Sequence, residues 1–401
     1  MIFFNRAASL ILCLSCLLLS SCFSESKKGN SQNTEVIIGF SGPLTGDTAH
    51  IGVDYQNGIR LAIEDMNKED LRVNGRRIIF HLLSQNDNSD PRMATIAASY
   101  LVDNKVLAVI GHVDSGCTIA SSSVYNKANV IQIAPSVSNQ KYTQQGFRNT
   151  FRMMSPDTIQ GLYIAKFISQ MAKKPIVSII DDRSSYGQNL ATQVENSLKE
   201  KNIKIVRHEY TRREDLDYSA ILASINKYKP NILFFSGTDS QAARLIRQER
   251  SINPSISFVT GDMACTPRFV SLAGKFAEGT FCSRNSLPID GLPMVTEFKH
   301  RYEKQFSINV QPYALFSYDA ARLIGNAIAK TNSLDKNKII SYLHNQESNG
   351  ITGRIAFKKN GDPAHSATTI FKISGGTFNV QRVYSNDNFS CSHKQTLPKK
   401  K

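Results

Sequence analysis

The sequence predicts an α/β protein made of two doubly wound lobes, each built around a parallel sheet. Two observations support this fold class. Short apolar segments of strand-forming residues alternate with amphipathic segments of about ten to fifteen residues at helical spacing, which is the pattern of βαβ units. The alternation runs through two successive series, near 35–150 and 157–282. A chain of 401 residues is also long for one small core, so two lobes are expected.

The first series begins with an apolar strand and a loop rich in Gly, Pro and Thr. Its helices place apolar side chains on one face, and Pro91 marks the start of one of them. The predicted strands are Val36–Phe40, Arg77–Leu83, Val106–Ile110 and Val130–Ala134, and the predicted helices are Tyr55–Asn67, one from Pro91, and Thr118–Lys127.

The second series repeats this alternation. Each of its strands is short and apolar, as expected for strands that are buried on both faces. The predicted strands are Ile176–Ile180, Ile203–His208, Ile232–Phe235 and Ile256–Thr260, and the predicted helices are Ile159–Met171, Gly187–Lys199, Tyr218–Tyr228 and Gln241–Arg250.

The chain beyond about Leu287 predicts three helices followed by hairpin-like strands. Gly375-Gly376 suits a tight turn between the last two strands. The predicted helices are Val295–Phe306, Tyr313–Lys330 and Lys336–Asn345, and the strands lie around Arg354–Phe357, Thr368–Ile373 and Phe378–Val383.

The N-terminus has the pattern of an export signal. A short positive region precedes Ala7–Leu19, an apolar segment too short for a stable membrane span. The following LSSC sequence resembles the lipobox of bacterial lipoproteins, which implies a lipoprotein signal peptide at 1–21 and a lipid on Cys22. An ordinary signal peptide with a chance cysteine is the alternative, and it also predicts export. Residues 22–34 are polar and predict a flexible tether.

The charge of the chain bears on its partners. A net charge of +15 would suit nucleic acid, but export argues against that partner. The basic residues are scattered except in the tail, 387–401, which is predicted to be disordered. We interpret the charge as solvated surface that favours anionic lipid headgroups.

The cysteines predict one disulfide. Cys265 and Cys282 flank a helix-like stretch, and the exported compartment permits a bridge between them. No Cys or Cys/His spacing suits zinc, so no metal site is expected. The other cysteines that remain after removal of the signal and acylation are Cys117 and Cys391.

The sequence offers binding loops without a reaction centre. It has no Walker motif and no Gly-x-Gly-x-x-Gly after a strand, so no nucleotide cofactor is expected. The segment around Ser41 departs from a hydrolase nucleophile elbow, and Cys117 near His112 lacks an evident third group. His208 and His300 are expected on exposed surface. These features predict a carrier or receptor, with a hydrolase using Ser41 or Cys117 as a distant alternative.

The stretch Val106–Val124 combines a buried strand, a glycine-punctuated turn and a helix N-terminus. Such a junction presents free backbone N–H groups and a positive dipole end, which suits an anionic group. The hydroxyl of Ser115 lies at the mouth of this turn. Because Ser is a preferred helix cap, simple capping is an equally good explanation from this stretch alone.

Several short motifs occur along the chain, and their order and spacing together are more specific than any single motif. They are IGFSGPLTG at 38–46, NGIRLA at 57–62 with Asn67, DNSDP at 87–91, VIGH at 109–112, PSVSN at 135–139, FR at 151–152, YG at 186–187, DYS at 217–219, AEG at 277–279 and YALFSYDAARL at 313–323. Together they resemble the exported solute-binding proteins of the leucine/isoleucine/valine-binding type, which serve ABC importers. The resemblance covers about 35–385.

This resemblance implies a type I periplasmic-binding-protein clamshell whose lobes are joined by a multi-strand hinge and close on a ligand. The implied N-terminal lobe comprises 35–154 and 285–362, and the C-terminal lobe comprises 155–284 and 363–386. Hence we expect an amino acid ligand and ABC permease subunits as partners.

The resemblance also implies the ligand-binding residues. Ser115, Ser136 and Ser138 are expected to bind the α-carboxylate of the ligand. The second lobe is expected to contribute Tyr186 and Asp262, and Asp262 to bind the α-ammonium group. Ordinary structural roles, such as a turn aspartate, a loop hydroxyl or a core aromatic, are the alternatives. Further pocket positions of the family fall on Tyr313 and Thr238.

Departures from the branched-chain prototype leave the ligand open. Ser89 and Asp114 occupy the positions of the prototype's two disulfide-bonded cysteines, so that disulfide is not expected here. Thr238 or Asp239 occupies the position of an aromatic residue of the prototype's pocket. The pocket is therefore expected to be more polar, so a polar or cationic amino acid, or an amide- or urea-type solute, competes with leucine. A sensory module of the same fold is the alternative to transport.

Overall fold

Two separate sheets organise the chain. The computed structural model describes residues 33–289 and 293–386, and it confirms the predicted class of two parallel-sheet α/β lobes. The expectations for the signal peptide, Cys22, nearly all of the tether, Cys391 and the basic tail lie outside the described residues.

The first sheet has the strand order β2-β3-β1-β4-β5-β6, and all its pairings are parallel except that of β2 with β3. Helices fill the crossovers between its strands. The strands are β1 Asn33–Gly42, β2 Arg72–Val73, β3 Arg76–Asn86, β4 Ala108–Gly111, β5 Ile131–Ala134 and β6 Thr150–Arg152, and the helices are α1 Ala49–Lys68, α2 Pro91–Asp103 and α3 Ser115–Lys127.

Strand β4 shows why the apolar runs of the sequence are continuous. Its neighbours Val109 and Ile110 are both fully buried, yet they belong to different hydrophobic clusters. Successive side chains of a strand point to opposite faces, so both faces of this sheet are covered. A strand of this sheet therefore needs consecutive apolar residues, whereas a strand with one solvent-exposed face would alternate apolar and polar residues.

The second sheet has the order β15-β14-β11-β10-β9-β7-β8. Strands β7 to β11 are mutually parallel, and the last hairpin, formed by β14 (Ala367–Ser374) and β15 (Thr377–Ser385), is antiparallel. Its strands are β7 Ile176–Asp181, β8 Lys204–Tyr210, β9 Ile232–Ser236, β10 Ser257–Thr260 and β11 Phe281–Arg284, and its helices are α4 Asp157–Met171, α5 Ser185–Glu200, α6 Ser219–Asn226, α7 Asp239–Ile252 and α8 Pro267–Ala273.

The C-terminal part of the chain contributes to both lobes. Helix α10 packs along α1 of the first lobe, and the final hairpin completes the second sheet. The hairpin turns at Gly375 and Gly376, whose positive φ angles of 57° and 74° favour glycine. The elements are α9 Pro293–Phe306, α10 Tyr313–Thr331, α11 Lys336–Asn345, β12 Ser348–Gly350, β13 Gly353–Ile355, β14 Ala367–Ser374 and β15 Thr377–Ser385.

Element boundaries differ from the prediction at several helix starts. Helix α1 begins at Ala49, six residues before the expected Tyr55, and α3 begins at Ser115 instead of Thr118. The first residues of α3 are Ser, Gly and Cys, which are polar or small and carry little periodic signal. At the start of α1, Ile51 and Val53 alternate with small or polar residues and did not show the helical spacing. The short strand β6 was not predicted because three residues show no period.

A disulfide joins Cys265 to Cys282, the pair that the sequence predicted. Cys117 is a free and buried cysteine. Within 33–289 and 293–386, no helix has the length and apolar character that a membrane crossing requires. No cluster of metal-ligating side chains is found in the same residues.

Candidate functional site

A cavity of about 360 Å³ lies between the lobes, where the N-terminus of α3 approaches that of α5. The lobes are close here, since a Cβ added to Gly116 would lie 3.4 Å from the Cβ of Ser185. The cavity lies beyond the carboxyl ends of β4, β7 and β9, the usual position for ligands in such sheets. Its polar lining includes Asp114, Ser115, Asp182, Tyr186, Arg213 and Thr238.

Ser115 begins helix α3 and lines this cavity. Asp114 occupies the N-cap position, and its side chain makes no capping hydrogen bond. The Ser115 hydroxyl forms no hydrogen bond with a described residue, so the structure does not support the capping alternative. The first backbone N–H groups of a helix have no intrahelical acceptor, so this end of the cavity offers a hydroxyl and free donors to an anion.

Tyr186 lines the cavity from the second lobe and connects it to Asp262. The Tyr186 hydroxyl and the Gln160 amide each donate a hydrogen bond of 2.9 Å to Oδ1 of Asp262. Oδ2 of the same carboxylate is buried and has no hydrogen-bond partner among the described residues. Burial raises the pKa of Asp262, and the bonds from Gln160 and Tyr186 oppose that rise. One oxygen is thus fixed by the fold and the other is left for a donor.

Further buried polar atoms near Asp262 lack partners among the described residues. They are Oη of Tyr55, Oγ of Ser138 and Oδ1 of Asp157. The rings of Tyr55 and Tyr313 lie 5.8 Å apart, and the Tyr313 hydroxyl lies 3.4 Å from the backbone oxygen of Asp262. Ser136 and Ser138 lie close enough to Tyr55 and Asp157, respectively, to oppose the rise in pKa that burial causes. Buried polar groups with so few partners are unfavourable, so their concentration between two lobes supports a ligand site.

Asp157 belongs to the same polar centre. Burial raises its pKa to about 7, the hydrogen bond from Asn189 opposes this, and the charge of Asp262 adds to it. The Asn189 amide donates to Oδ2 of Asp157 at 2.5 Å. Two carboxyl groups that each carry an unpartnered oxygen favour a cationic guest in this region.

The structure brings only part of the predicted set to the cavity surface. Ser115, Tyr186 and Thr238 line it, and Asp262 and Tyr313 lie behind Tyr186. Ser136 and Ser138 are buried but do not line this cavity. Their roles, like those of the whole set, stay predictions.

Two of the predicted hydroxyls have structural uses. The Ser136 hydroxyl donates to the backbone oxygen of Val113 at 2.9 Å. Thr238 is the N-cap of α7 and forms a capping box with Gln241. A ligand contact from Thr238 would therefore come in addition to its capping role.

Sequence reasoning missed several polar residues of this region. Asp182 follows β7 in a loop rich in Asp and Ser. Such a composition only weakly indicates a binding site, because loops are generally polar. Asp157 and Gln160 begin α4 after Pro156, and no motif marks them. Gln160 reaches Asp262 across 102 positions of the chain, which local patterns cannot reveal.

Polar contacts join the lobes on one rim of the cavity. The Arg268 guanidinium donates to Oδ1 of Asp47 at 2.8 Å, and Nε2 of His50 lies 2.9 Å from Oδ2 of Asp239. On the other rim, the Asn139 amide donates to the backbone oxygen of Ser185 at 2.8 Å. These contacts hold the lobes in a closed arrangement.

The groups that suggested other chemistry have structural roles. Nδ1 of His112 lies 2.6 Å from Oδ2 of Asp87, and its Nε2 lies 3.0 Å from the Tyr125 hydroxyl, with all three buried. Burial raises the pKa of the Cys117 thiol, which keeps it protonated and weakly nucleophilic. Ser41 is fully buried in β1.

The expected exposure of His208 is wrong, whereas His300 is exposed. His208 is half-buried between two carboxylates, with Asp181 at 3.0 Å and Glu195 at 2.6 Å. These neighbours raise its pKa, Asp181 foremost. The sequence could not reveal this because the partners come from β7 and α5.

Comparisons with known proteins agree with this geometry. A family model described as periplasmic binding protein matches residues 35–377. An amino acid binding protein of Pseudomonas aeruginosa is 30% identical over 334 residues, which is 82% of this chain and 87% of the relative. A Leu/Ile/Val-binding protein homolog 1 of Brucella suis is 28% identical over 352 residues, 87% of this chain and 93% of the relative. The crystal structure of a leucine-binding protein of Thermotoga maritima has a TM-score of 0.79 at 25% identity, covering 87% of this chain and 98% of that one.

Proposed function

The chain belongs to the periplasmic binding protein family, and we propose that it captures an amino acid between its lobes and delivers it to an ABC importer. The observation that carries the proposal is the buried, unpartnered oxygen of Asp262, which is hydrogen-bonded through its other oxygen to Tyr186. Tyr186 lines the same cavity as Ser115 at the N-terminus of α3. The carboxylate of an α-amino acid suits the N-terminus of α3, and its ammonium group suits the carboxylate of Asp262.

The carboxylate of the amino acid would lie at Ser115 and the free N–H groups that follow it. Hydrogen bonds to a charged group are worth about 1.5–3 kcal/mol each, and the helix dipole adds to them. The hydroxyls of Ser136 and Ser138 are further candidates for this end if the loop that carries them shifts on binding.

The ammonium group would lie against Oδ2 of Asp262. An unpaired buried charge is strongly unfavourable, so each partner stabilises the other. Because Asp262 and Ser115 belong to different lobes, a single amino acid contacts both only when the lobes are closed. The ligand therefore favours the closed state through contacts that the open state lacks.

Export and anchoring complete the proposal. The lipobox-like sequence before Cys22 supports a lipid anchor that holds the protein at a membrane near its permease. Relatives named as amino-acid-binding proteins support the binding function. Metabolic labelling with a fatty-acid analogue tests the anchor, since Cys22→Ala should abolish the label and Cys117→Ala should leave it.

A thermal-shift screen tests the binding function. We expect the purified mature chain to be stabilised by one class of amino acid, by about 2.7 kcal/mol at a concentration 100 times the dissociation constant. The panel contains the common amino acids, and amide- and urea-type solutes as the alternative class. Stabilisation by amides or ureas alone would contradict an amino acid ligand, and no shift with any compound would contradict the function.

A further inference from the structure

We propose that the side chain of the bound amino acid ends in nitrogen-bound hydrogens, as an ammonium, guanidinium or carboxamide, which Asp114 and Asp182 recognise. This inference rests on the proposed function, because it assigns the part of the cavity that the α-carboxylate and ammonium leave. Both aspartates line the cavity beside Ser115 and Tyr186, Asp114 from the first lobe and Asp182 from the second.

Asp114 has one carboxylate oxygen that the described residues leave without a partner. It occupies the N-cap of α3 without bonding to the backbone of the helix, and its Oδ2 is buried without a partner among the described residues. Burial raises the pKa of this carboxyl, while the Ser89 hydroxyl and Arg213 oppose the rise. A donor from the ligand would satisfy the oxygen that the chain leaves unsatisfied.

Asp182 is held in place and offers its second oxygen. Its residue is 6% exposed, and its Oδ1 accepts hydrogen bonds from the Ser184 backbone N–H at 3.0 Å and hydroxyl at 2.6 Å. A Cβ at Gly187 would come within 2.0 Å of that oxygen, so only glycine permits this position. Oδ2 receives no hydrogen bond from the described residues, and Asp182 is one of the residues that line the cavity.

Arg213 distinguishes donor-bearing side chains from acidic ones. Arg213 lines the cavity, and its guanidinium donates to the Thr48 hydroxyl at 3.2 Å and forms no ion pair with a described carboxylate. A side-chain carboxylate placed beside Arg213 would also meet Asp114 and Asp182, without the backbone N–H donors that the α-carboxylate has at the start of α3. Like charges would therefore outnumber the one favourable contact. A carboxamide would donate to an aspartate and accept from Arg213.

An apolar side chain fits this lining poorly. Leucine would displace water from Asp114 and Asp182 and give neither of them a hydrogen bond. Sites built to bond a ligand N–H group discriminate against analogues that lack it, because the protein groups are then left unpaired. We therefore expect a preference different from that stated in the names of the Leu/Ile/Val-binding relatives.

Calorimetry on the mature chain with shape-matched amino acids tests this inference. The probes are lysine against norleucine, glutamine against glutamate, and arginine against leucine and valine. We expect at least one of lysine, arginine and glutamine to bind tenfold or more tighter than norleucine, leucine, valine and glutamate. Equal or tighter binding of any of these four would overturn the inference while the proposed function stands. Failure of every amino acid to bind would instead overturn the proposed function.

Variants assign the recognition to these residues. Asp182→Asn and Asp114→Asn should each weaken the best nitrogen-bearing ligand tenfold or more and change norleucine binding less than threefold. Asp319→Asn removes a buried carboxylate outside the cavity and should change neither. Circular dichroism checks folding, and Asp114→Ser replaces Asp114→Asn if that variant does not fold. Unchanged affinity in both aspartate variants would overturn the assignment.

Discussion

Replacing Asp262 with Asn removes the fixed negative charge from the cleft and keeps the side-chain shape. Oδ1 can still accept from Gln160 and Tyr186, but the group facing the ligand ammonium becomes a donor or a neutral oxygen. Truncating one partner of a buried charge pair weakens binding by about 2–5 kcal/mol. The lower value is roughly a 30-fold loss of affinity, and the upper value removes binding from the measurable range.

The same substitution should act oppositely on the ligand-free fold. Burial raises the pKa of Asp262, so its ionised form destabilises the native state at neutral pH. Asp262→Asn should therefore melt at the same or a higher temperature without ligand. With ligand at 100 times the wild-type dissociation constant, a 30-fold loss lowers the stabilisation from about 2.7 to about 0.9 kcal/mol.

Titration calorimetry and thermal melting measure these two effects separately. Asp319→Asn is the matched control, because Asp319 is also buried, has a pKa raised by burial to about 6, and bonds the backbone of Ile351 and Thr352 away from the cleft. It should leave ligand affinity unchanged. If Asp262→Asn binds the ligand as the wild type does, Asp262 is not the partner of the ammonium and the reasoning is refuted.

Four further results are expected. Ser115→Ala should weaken binding by about 1.5–3 kcal/mol in calorimetry without lowering the melting temperature, since its hydroxyl bonds no described residue; equal affinity would exclude the hydroxyl from the site. Because burial raises the pKa of Asp157 to about 7, the native state keeps a proton that the unfolded chain releases near pH 4, so this residue lowers ligand-free stability as pH rises from about 4 to 7. Asp157→Asn should flatten that part of a melting-temperature profile, and an unaltered profile would contradict the shift. Reduction of the Cys265–Cys282 disulfide, which spans 17 positions, should lower the unfolding free energy by about 3 kcal/mol in denaturant titrations, whereas no change would show that the loop is already constrained. Arg268→Ala removes a half-exposed contact across the rim, so stopped-flow release of ligand should accelerate several-fold at most, and a slower release would contradict its role in closure.

The fold class was predictable because it depends on local patterns. A run such as 106–110 must be apolar throughout when Val109 and Ile110 face different hydrophobic clusters. Helix starts were less predictable, because α3 begins at Ser115 without a capping side chain to mark it. The pattern of apolar residues begins only where the helix contacts the core.

Part of the candidate site could be predicted from the sequence. Ser115 and Tyr186 lie in the first turns of α3 and α5, shortly after the ends of β4 and β7, and both line the cavity. Family resemblance and a physical reason both pointed to these positions. The sequence could not predict Asp157 and Gln160 as site residues, since they contribute through contacts with residues far away in the chain. The importance of Asp182 depends on which of its oxygens is left unpartnered, and only the folded arrangement shows that.

The most direct test is a crystal structure of the mature chain with the amino acid that stabilises it best. The account predicts a ligand in the cavity, with its carboxylate at Ser115 and the N-terminus of α3 and its ammonium within about 3 Å of Oδ2 of Asp262. A ligand bound elsewhere, or one whose ammonium contacts no carboxylate of the second lobe, would contradict it.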